Sequence, residues 1–324
     1  MSGLESNVSD VSVGQYDVCA IQAGALFCWG NNFMGETGVG SNDPITSPSQ
    51  VVVTDVQFSS VKIGPSRQTC ALTTLGALYC WGLNDNSMTN LGVGSTDTFV
   101  STPMPVQDMD TDVTAFSVGK NAICAIKTGA LYCWGSNEVG ELGTDSGGFP
   151  LSTPTLVPTL DTGVTDLGIN SGSFKDSGNS ICAIKSGALY CLGQNDLGQL
   201  GDGTTTVVTA AEPHPFLNSN VTAIALGSVG GCAIMNSLVY CWGNYVNEAN
   251  GVVDQNTFSG NMTPIPVTLP LDETFTEVQG NGFTFCARTL SQKEYCWGTN
   301  LGQALFTDST TDSATDAMEA GPFD

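Results

Sequence analysis

The chain has 324 residues, 31 acidic and 8 basic, for a formal net charge of -23; 41% are hydrophobic and 12% charged, with 39 glycines and 12 cysteines. Hydrophobic content of that order supports a packed core, but eight scattered cations cannot supply the phosphate contacts on which nucleic-acid affinity rests, so no DNA or RNA partner is expected. No apolar run approaches the roughly 18 to 20 residues of a membrane helix, and no membrane insertion is expected.

The cysteines organise the chain. They fall into six pairs: Cys19 and Cys28, Cys70 and Cys80, Cys124 and Cys133, Cys182 and Cys191, Cys232 and Cys241, Cys286 and Cys296. First members recur at intervals of 51, 54, 58, 50 and 54 residues, the period of a repeat protein. Within each unit the first predicted element is a short strand closing on Gly or Asn, at 8–14, 58–64, 113–119, 164–170, 221–227 and 275–280. A hairpin bearing the cysteine pair follows, with text such as CAIKTGALYCWG. Thr128-Gly129 stands at its centre, and the glycine supplies the positive φ of a two-residue turn. Counting outward, Lys127 faces Ala130, Ile126 faces Leu131, Ala125 faces Tyr132 and Cys124 faces Cys133, at a non-hydrogen-bonded site where Cα atoms lie about 4.5 Å apart, within disulfide range. The pairs Cys70/Cys80 and Cys286/Cys296 carry one more residue, absorbed by a three-residue loop; Gly76 suits its left-handed position and Gln292 suits it less well. A turn-rich stretch such as GSNEVGELGTDSGG then leads to a Pro-bounded strand such as TPMPVQ, TPTLVPT or TPIPVT.

Six opposed pairs with no odd cysteine are expected to be disulfides, which implies an oxidising compartment; the alternative is twelve reduced cysteines packed as small hydrophobes. Zinc is excluded by the lack of any C-x-x-C and by a single histidine, His214. Four short strands per unit cannot bury both faces alone, whereas copies arranged around an axis can. The expected fold is all-β: one β-propeller over 1–324, with six four-stranded antiparallel blades at about 8–57, 58–110, 111–162, 163–219, 220–272 and 273–324, each carrying one cross-strand disulfide.

Ala130-Leu131-Tyr132-Cys133-Trp134-Gly135 followed by Asn137, Gly140, Leu142 and Gly143, with Asn195, Gly198, Leu200 and Gly201 repeating the pattern, resembles the regulator of chromosome condensation (RCC) repeat family over essentially the whole chain. The cysteine-bearing form is similar to extracellular members, including the propeller-type β-lactamase inhibitory protein. The resemblance implies a propeller that usually closes with seven blades, so the six units either close the ring or lack one. Family members often place His two residues before the first cysteine position; here stand Asp17, Gln68, Ala122, Ser180, Gly230 and Thr284. Trp29, Trp81, Trp134, Trp242 and Trp297 recur once per unit, with Leu192 in the fourth, as expected of a residue packed between blades.

A search for chemistry finds little. With 31 acidic residues, carboxylate pairs are uninformative. His214 lies in EPHPF, read as a surface or edge segment, with no partner motif for catalysis, and no phosphate-binding loop is present. Asp108, Asp110 and Asp112 form D-x-D-x-D, which makes calcium the one cation the sequence admits, although Val113 and Gly119 stand where a calcium loop places Gly and Glu; no other cofactor is expected. The segment 307–321 lacks apolar periodicity and reads as a loop or linker, leaving GPFD as the last blade's Pro strand. MSGLESNVSD has neither the basic nor the apolar region of a signal peptide, so an exported form is expected to be a mature fragment. Asn7, Asn220 and Asn261 begin glycosylation acceptors, at a frequency near chance.

The expected function is non-enzymatic recognition or adhesion outside the cell, at the cell surface or in the periplasm, with blade loops presented to a protein or a glycan. The loops before the first cysteines vary most, and Tyr16, Asp17, Arg67, Gln68, Phe174, Lys175 and Phe283 are the candidate contacts, aromatic residues and Arg being the usual anchors. An inhibitor of a secreted enzyme is a special case of this reading. A small-GTPase exchange factor, suggested by the name-giving family member, is the alternative and requires free thiols.

Overall fold

A computed structural model describes every residue except 1–3, 5, 86–89, 145–146, 171–178, 229, 244–260, 270–271, 283, 300–312 and 320–324, and the backbone alone of 281, 299 and 313–319. Its strands form six four-stranded antiparallel sheets, each a meander in chain order. The sheets group into two compact units, three in Met1–Thr162 and three in Gly163–Asp324. The first unit holds β1 (Val8–Val13), β2 (Asp17–Gln22), β3 (Ala25–Gly30) and β4 (Ile45–Val51); β5 (Phe58–Ile63), β6 (Gln68–Thr73), β7 (Leu78–Leu83) and β8 (Phe99–Pro105); and β9 (Val113–Val118), β10 (Ala122–Lys127), β11 (Ala130–Gly135) and β12 (Leu151–Leu156). The second holds β13 (Val164–Ile169), β14 (Ser180–Lys185), β15 (Ala188–Gly193) and β16 (Val208–Pro213); β17 (Val221–Leu226), β18 (Gly230–Met235), β19 (Leu238–Gly243) and β20 (Asn261–Pro266); and β21 (Phe275–Asn281), β22 (Thr284–Thr289), β23 (Glu294–Thr299) and β24 (Ser313–Glu319).

The expected hairpin register holds residue by residue: Lys127 pairs with Ala130, Ile126 with Leu131, Ala125 with Tyr132 and Cys124 with Cys133. All six disulfides are formed, with Cα separations of 4.1 to 4.2 Å, and no cysteine is free. Turn chemistry follows length. Thr128 and Gly129 are both left-handed, with φ of 52° and 76°, as a two-residue turn with right-handed strand twist requires. In the three-residue loops Gly76 (81°) and Gln292 (68°) occupy the same conformation.

The Trp-Gly ending of each third strand has a geometric cause. In all six sheets the pairing to the fourth strand slips between the cysteine and that glycine, as where Cys133 pairs with Thr155 but Gly135 with Leu151, so the fourth strand carries the bulge opposite the intervening Trp or Leu. The glycine must then pass beneath the carbonyl that precedes the second strand: a Cβ on Gly30, Gly82, Gly135 or Gly193 would collide with the oxygen of Tyr16, Arg67, Asn121 or Asn179.

Trp81, Trp134, Trp242 and Trp297 are fully buried, as is Leu192 at the equivalent place. The first-strand residues Val61, Phe116, Leu167, Ile224 and Val278 are likewise buried. Their counterpart in the first sheet, Val11, is 54% exposed and its neighbour Val13 61%. One expectation is corrected. The tail read as a loop or linker contains β24, paired with β23 through Tyr295–Glu319 and Cys296–Met318. A fourth strand needs one free edge to pair with and no alternation of its own, so periodicity does not reveal it. The GPFD segment lies outside the described residues.

Replacing Cys124 and Cys133 by Ala reopens a loop of ten residues and should cost about 2–3 kcal/mol on chain-entropy grounds, measured by denaturant unfolding. Gln292→Gly should stabilise by about 0.5–1 kcal/mol, because the left-handed conformation strains any residue with a Cβ; an unchanged midpoint would show that the loop carries no such strain.

Candidate functional site

The loops joining first to second strands and third to fourth strands both leave the sheets at the end where the second strand begins. In the first unit they bring together residues from two adjacent sheets. The loop after β3 is built on Asn32. Its amide donates to the carbonyls of Ser41 (2.7 Å) and Asp43 (3.0 Å), while its Oδ1 accepts the Thr37 N–H at 2.9 Å. That frame fixes Glu36, whose Oε2 accepts the Met34 N–H at 2.6 Å. The Glu36 carbonyl accepts two bonds from the next sheet, from Thr69 Oγ1 at 2.9 Å and Trp81 Nε1 at 3.0 Å. The other carboxylate oxygen lies 3.6 Å from Arg67 Nη1. Arg67 has a left-handed backbone (φ 62°) and a side chain 38% exposed against 2% for Glu36.

Asp17 joins this cluster from below. It is 7% exposed, and its Oδ2 has no partner among the described residues. Burial, and then the Glu36 carboxylate, push its pKa up to about 6 against a weaker pull from Arg67. Tyr16, next to it, is 59% exposed. Of the sequence candidates, therefore, the structure gathers Asp17 and Arg67 around Glu36, with Tyr16 outward on the same loop. Gln68 is fully buried, and both its amide atoms lack partners among the described residues. Phe174, Lys175 and Phe283 lie outside the described residues. Glu36 was not a candidate; the signal that finds it is the recurrence Asn32…Glu36, Asn137…Glu141 and Asn195…Gln199, whose Glu141 and Gln199 side chains accept the N–H of Val139 and Leu197 as Glu36 accepts that of Met34.

Asp108, Asp110 and Asp112 are not gathered around a common point. The Lys127 ammonium donates to the Asp108 carbonyl and lies 3.5 Å from Asp110 Oδ1, and Asp112 accepts a bond from Thr111 Oγ1 at 2.8 Å. Among the described residues no three His, Cys, Asp or Glu side chains are placed to hold a metal ion.

His214, read from its prolines as part of a surface or edge segment, is 3% exposed. Its Nε2 donates to the Leu200 carbonyl at 3.1 Å, and its Nδ1 accepts the N–H groups of Phe216 (3.3 Å) and Leu217 (3.1 Å). The flanking prolines do sit at the surface, but the ring turns inward to complete a turn that would otherwise leave the Phe216 and Leu217 N–H groups unmatched, the second of them buried.

No protein-family model matches the chain. It is 30% identical over 238 residues to the human E3 ubiquitin-protein ligase HERC2, covering 70% of this chain and 5% of that protein. It is 25% identical over 273 residues to the Bos taurus secretion-regulating guanine nucleotide exchange factor, 74% of this chain and 54% of that one. The crystal structure of yeast RCC1 (Prp20), solved bound to Kap60, superposes with a TM-score of 0.77 at 16% identity, over 98% of this chain and 76% of that one. The chain is a six-bladed propeller of the RCC-repeat type. Each sheet is thus a blade, and the glycine that ends the RCC hairpin's Trp-Gly is the residue that the close approach to the preceding carbonyl explains. The chain spans little of HERC2 and about half of the exchange factor.

Asp17 holds a proton more tightly when folded (about 6) than when unfolded (3.8). Its contribution to stability is therefore greatest in acid and is lost as pH rises from about 3.8 through 6. Asp17→Asn should remove that dependence, and the variant should gain up to about 3 kcal/mol over wild type at pH 7. Denaturant midpoints of the two proteins from pH 4 to 7 check this; a constant difference across the range would contradict it.

Proposed function

We propose that this RCC-repeat propeller is a non-enzymatic recognition module acting in an oxidising, extracytoplasmic setting, and that it binds a protein through the face carrying Tyr16 and Arg67. The observation that carries the reading is that all twelve cysteines are in disulfides, two per blade, with none free. In a reducing compartment such pairs do not persist. The face supports a protein ligand through an exposed aromatic ring, Tyr16, and the partly exposed guanidinium of Arg67, whose carbonyl is held by the Leu83 N–H, the residue types that dominate protein interfaces. No catalytic constellation accompanies it among the described residues, and the solved yeast RCC1 propeller is itself a protein-bound structure. Inhibition of a secreted enzyme is one form such binding takes.

The similarity to a guanine nucleotide exchange factor supports a second reading, intracellular exchange on a small GTPase, which needs reduced cysteines. Thiol alkylation of the protein in its native cells separates the two: no labelled cysteine is expected, and labelling of all twelve would overturn the extracytoplasmic reading. Binding is tested by capture from the extracellular fraction of the same cells, beside a glycan array run with calcium and with chelator. Tyr16→Ala and Arg67→Ala are each expected to weaken protein capture about tenfold or more. A glycan signal indifferent to both substitutions would move the site elsewhere.

A further inference from the structure

The chain contains one histidine, and it does no work in the reading above. His214 follows β16 directly. Its backbone N–H extends the pairing by donating to Leu189 O at 2.8 Å, and Leu189 N–H donates to Leu217 O at 2.8 Å, so residues 214–217 close a short turn over the edge of the fourth sheet. Nothing within the turn's backbone accepts the N–H groups of Phe216 and Leu217; both point at His214 Nδ1. The ring is set against Trp242 of β19 (6.0 Å between centroids) and Phe216 (6.0 Å), and Leu200, Leu217 and Trp242 around it are buried. The charged groups facing it are Asp202, from the loop between β15 and β16, and Glu212 of β16; with His214, Leu200, Val208, Pro213, Pro215 and Cys191 they line an adjoining cavity of about 280 Å³. From β19 only the uncharged indole meets it.

We propose that His214 is an acid-operated latch that closes the 214–217 turn while neutral and releases it when protonated. Nε2 already carries a proton, because its partner, a carbonyl oxygen, only accepts. A second proton has one place to go, Nδ1, and there it converts the acceptor of two backbone N–H groups into a third donor aimed at them. The turn cannot keep its bonds with a charged ring. Release frees Leu217 and the Phe216 ring, uncovers Trp242 and widens the cavity beside Asp202 and Glu212, whose carboxylates then hold the imidazolium outside. Burial supports the direction: it lowers the His214 pKa to about 4 from 6.5, so the open form takes up the proton first as pH falls.

The test uses the intact propeller. With one histidine, its NMR ring signals are unambiguous, and they report tautomer and titration while amide exchange at Phe216 and Leu217 reports the turn. After correction for intrinsic exchange rates, the open fraction should rise on the order of 100-fold between pH 6.5 and pH 4. His214→Asn supplies a side-chain oxygen that can accept the same two N–H groups and does not titrate, so its turn should stay shut across the range. His214→Ala should be open at neutral pH. If wild-type protection at Phe216 and Leu217 is independent of pH, or if the Asn variant opens in acid as wild type does, the latch is wrong. Should either variant fail to fold, the wild-type ring titration decides alone: a pKa at or above 6.5, or an Nδ1–H tautomer at neutral pH, overturns it.

Discussion

The large apolar side chain that follows the second cysteine of each blade, buried at Trp81, Trp134, Leu192, Trp242 and Trp297, is the constraint on which the packing of these sheets turns, and in two blades its indole N–H also bonds to a backbone carbonyl of the adjacent blade. That bond runs from Trp81 to Glu36 and from Trp242 to Gln199, at 3.0 and 2.9 Å. A four-stranded sheet of six-residue strands has two apolar faces and cannot bury either alone. The indoles of Trp81 and Trp242 reach the neighbouring sheet, and the glycine after Trp81 lets its strand pass under the Arg67 carbonyl. The neighbour's Asn-based loop presents the carbonyl that each indole meets. Gly38 and Gly201 lie so close against Trp81 and Trp242 that a Cβ at either would strike the ring. At these two joints the recurrent Trp and the Asn-based loop are two sides of one contact, and removing either indole leaves a buried carbonyl without that donor.

The disulfides play a separate part. Each joins two neighbouring strands nine or ten residues apart within one blade, and none joins blades. They fix the central hairpin of each sheet and hold its register, while cohesion between blades is left to the Trp and Asn joints and to apolar packing. This division explains how the fourth blade keeps its disulfide yet replaces the tryptophan with Leu192, which is equally buried but has no N–H to donate. Stapling within the sheet also frees the loops at the strand ends from structural duty, and Tyr16 can stand exposed on a loop only three residues long because the strands on either side are anchored.

Much of this was legible in the sequence because it repeats. The period of the cysteines marks six units, and the Thr128-Gly129 turn sets the pairing of every residue in the hairpin. What repetition did not reveal are features unique to one copy. β24 is an edge strand of polar residues, identified only by the unpaired side of β23. His214 looked superficial because two prolines flank it, and nothing in EPHPF shows that its ring turns back to serve its own backbone. Asp17 and Gln68 stand at one repeat position that varies in every blade, and variation there suggested a surface, yet both side chains are buried. Glu36 was legible in principle through its counterparts Glu141 and Gln199, but the repeat shows only that a carboxylate or amide belongs in the loop; the pairing with Arg67 is seen, among the described residues, at the first joint alone.

Two buried titratable groups, Asp17 and His214, sit in different units and respond oppositely to acid. Asp17, with its folded pKa near 6, is relieved by protonation, since the proton removes a desolvated charge that Glu36 already opposes. His214, with its folded pKa near 4, is strained by protonation, since the proton creates a desolvated charge and removes an acceptor. Between about pH 4 and 6 the same change therefore firms the seam of the first two blades and loosens the turn that closes the fourth. Their opposed slopes partly cancel in any measurement of global unfolding, so a flat pH profile for the whole chain is compatible with large local changes at both places. At both places acid acts where burial has withdrawn the group from solvent, which raises the aspartate's pKa and lowers the histidine's.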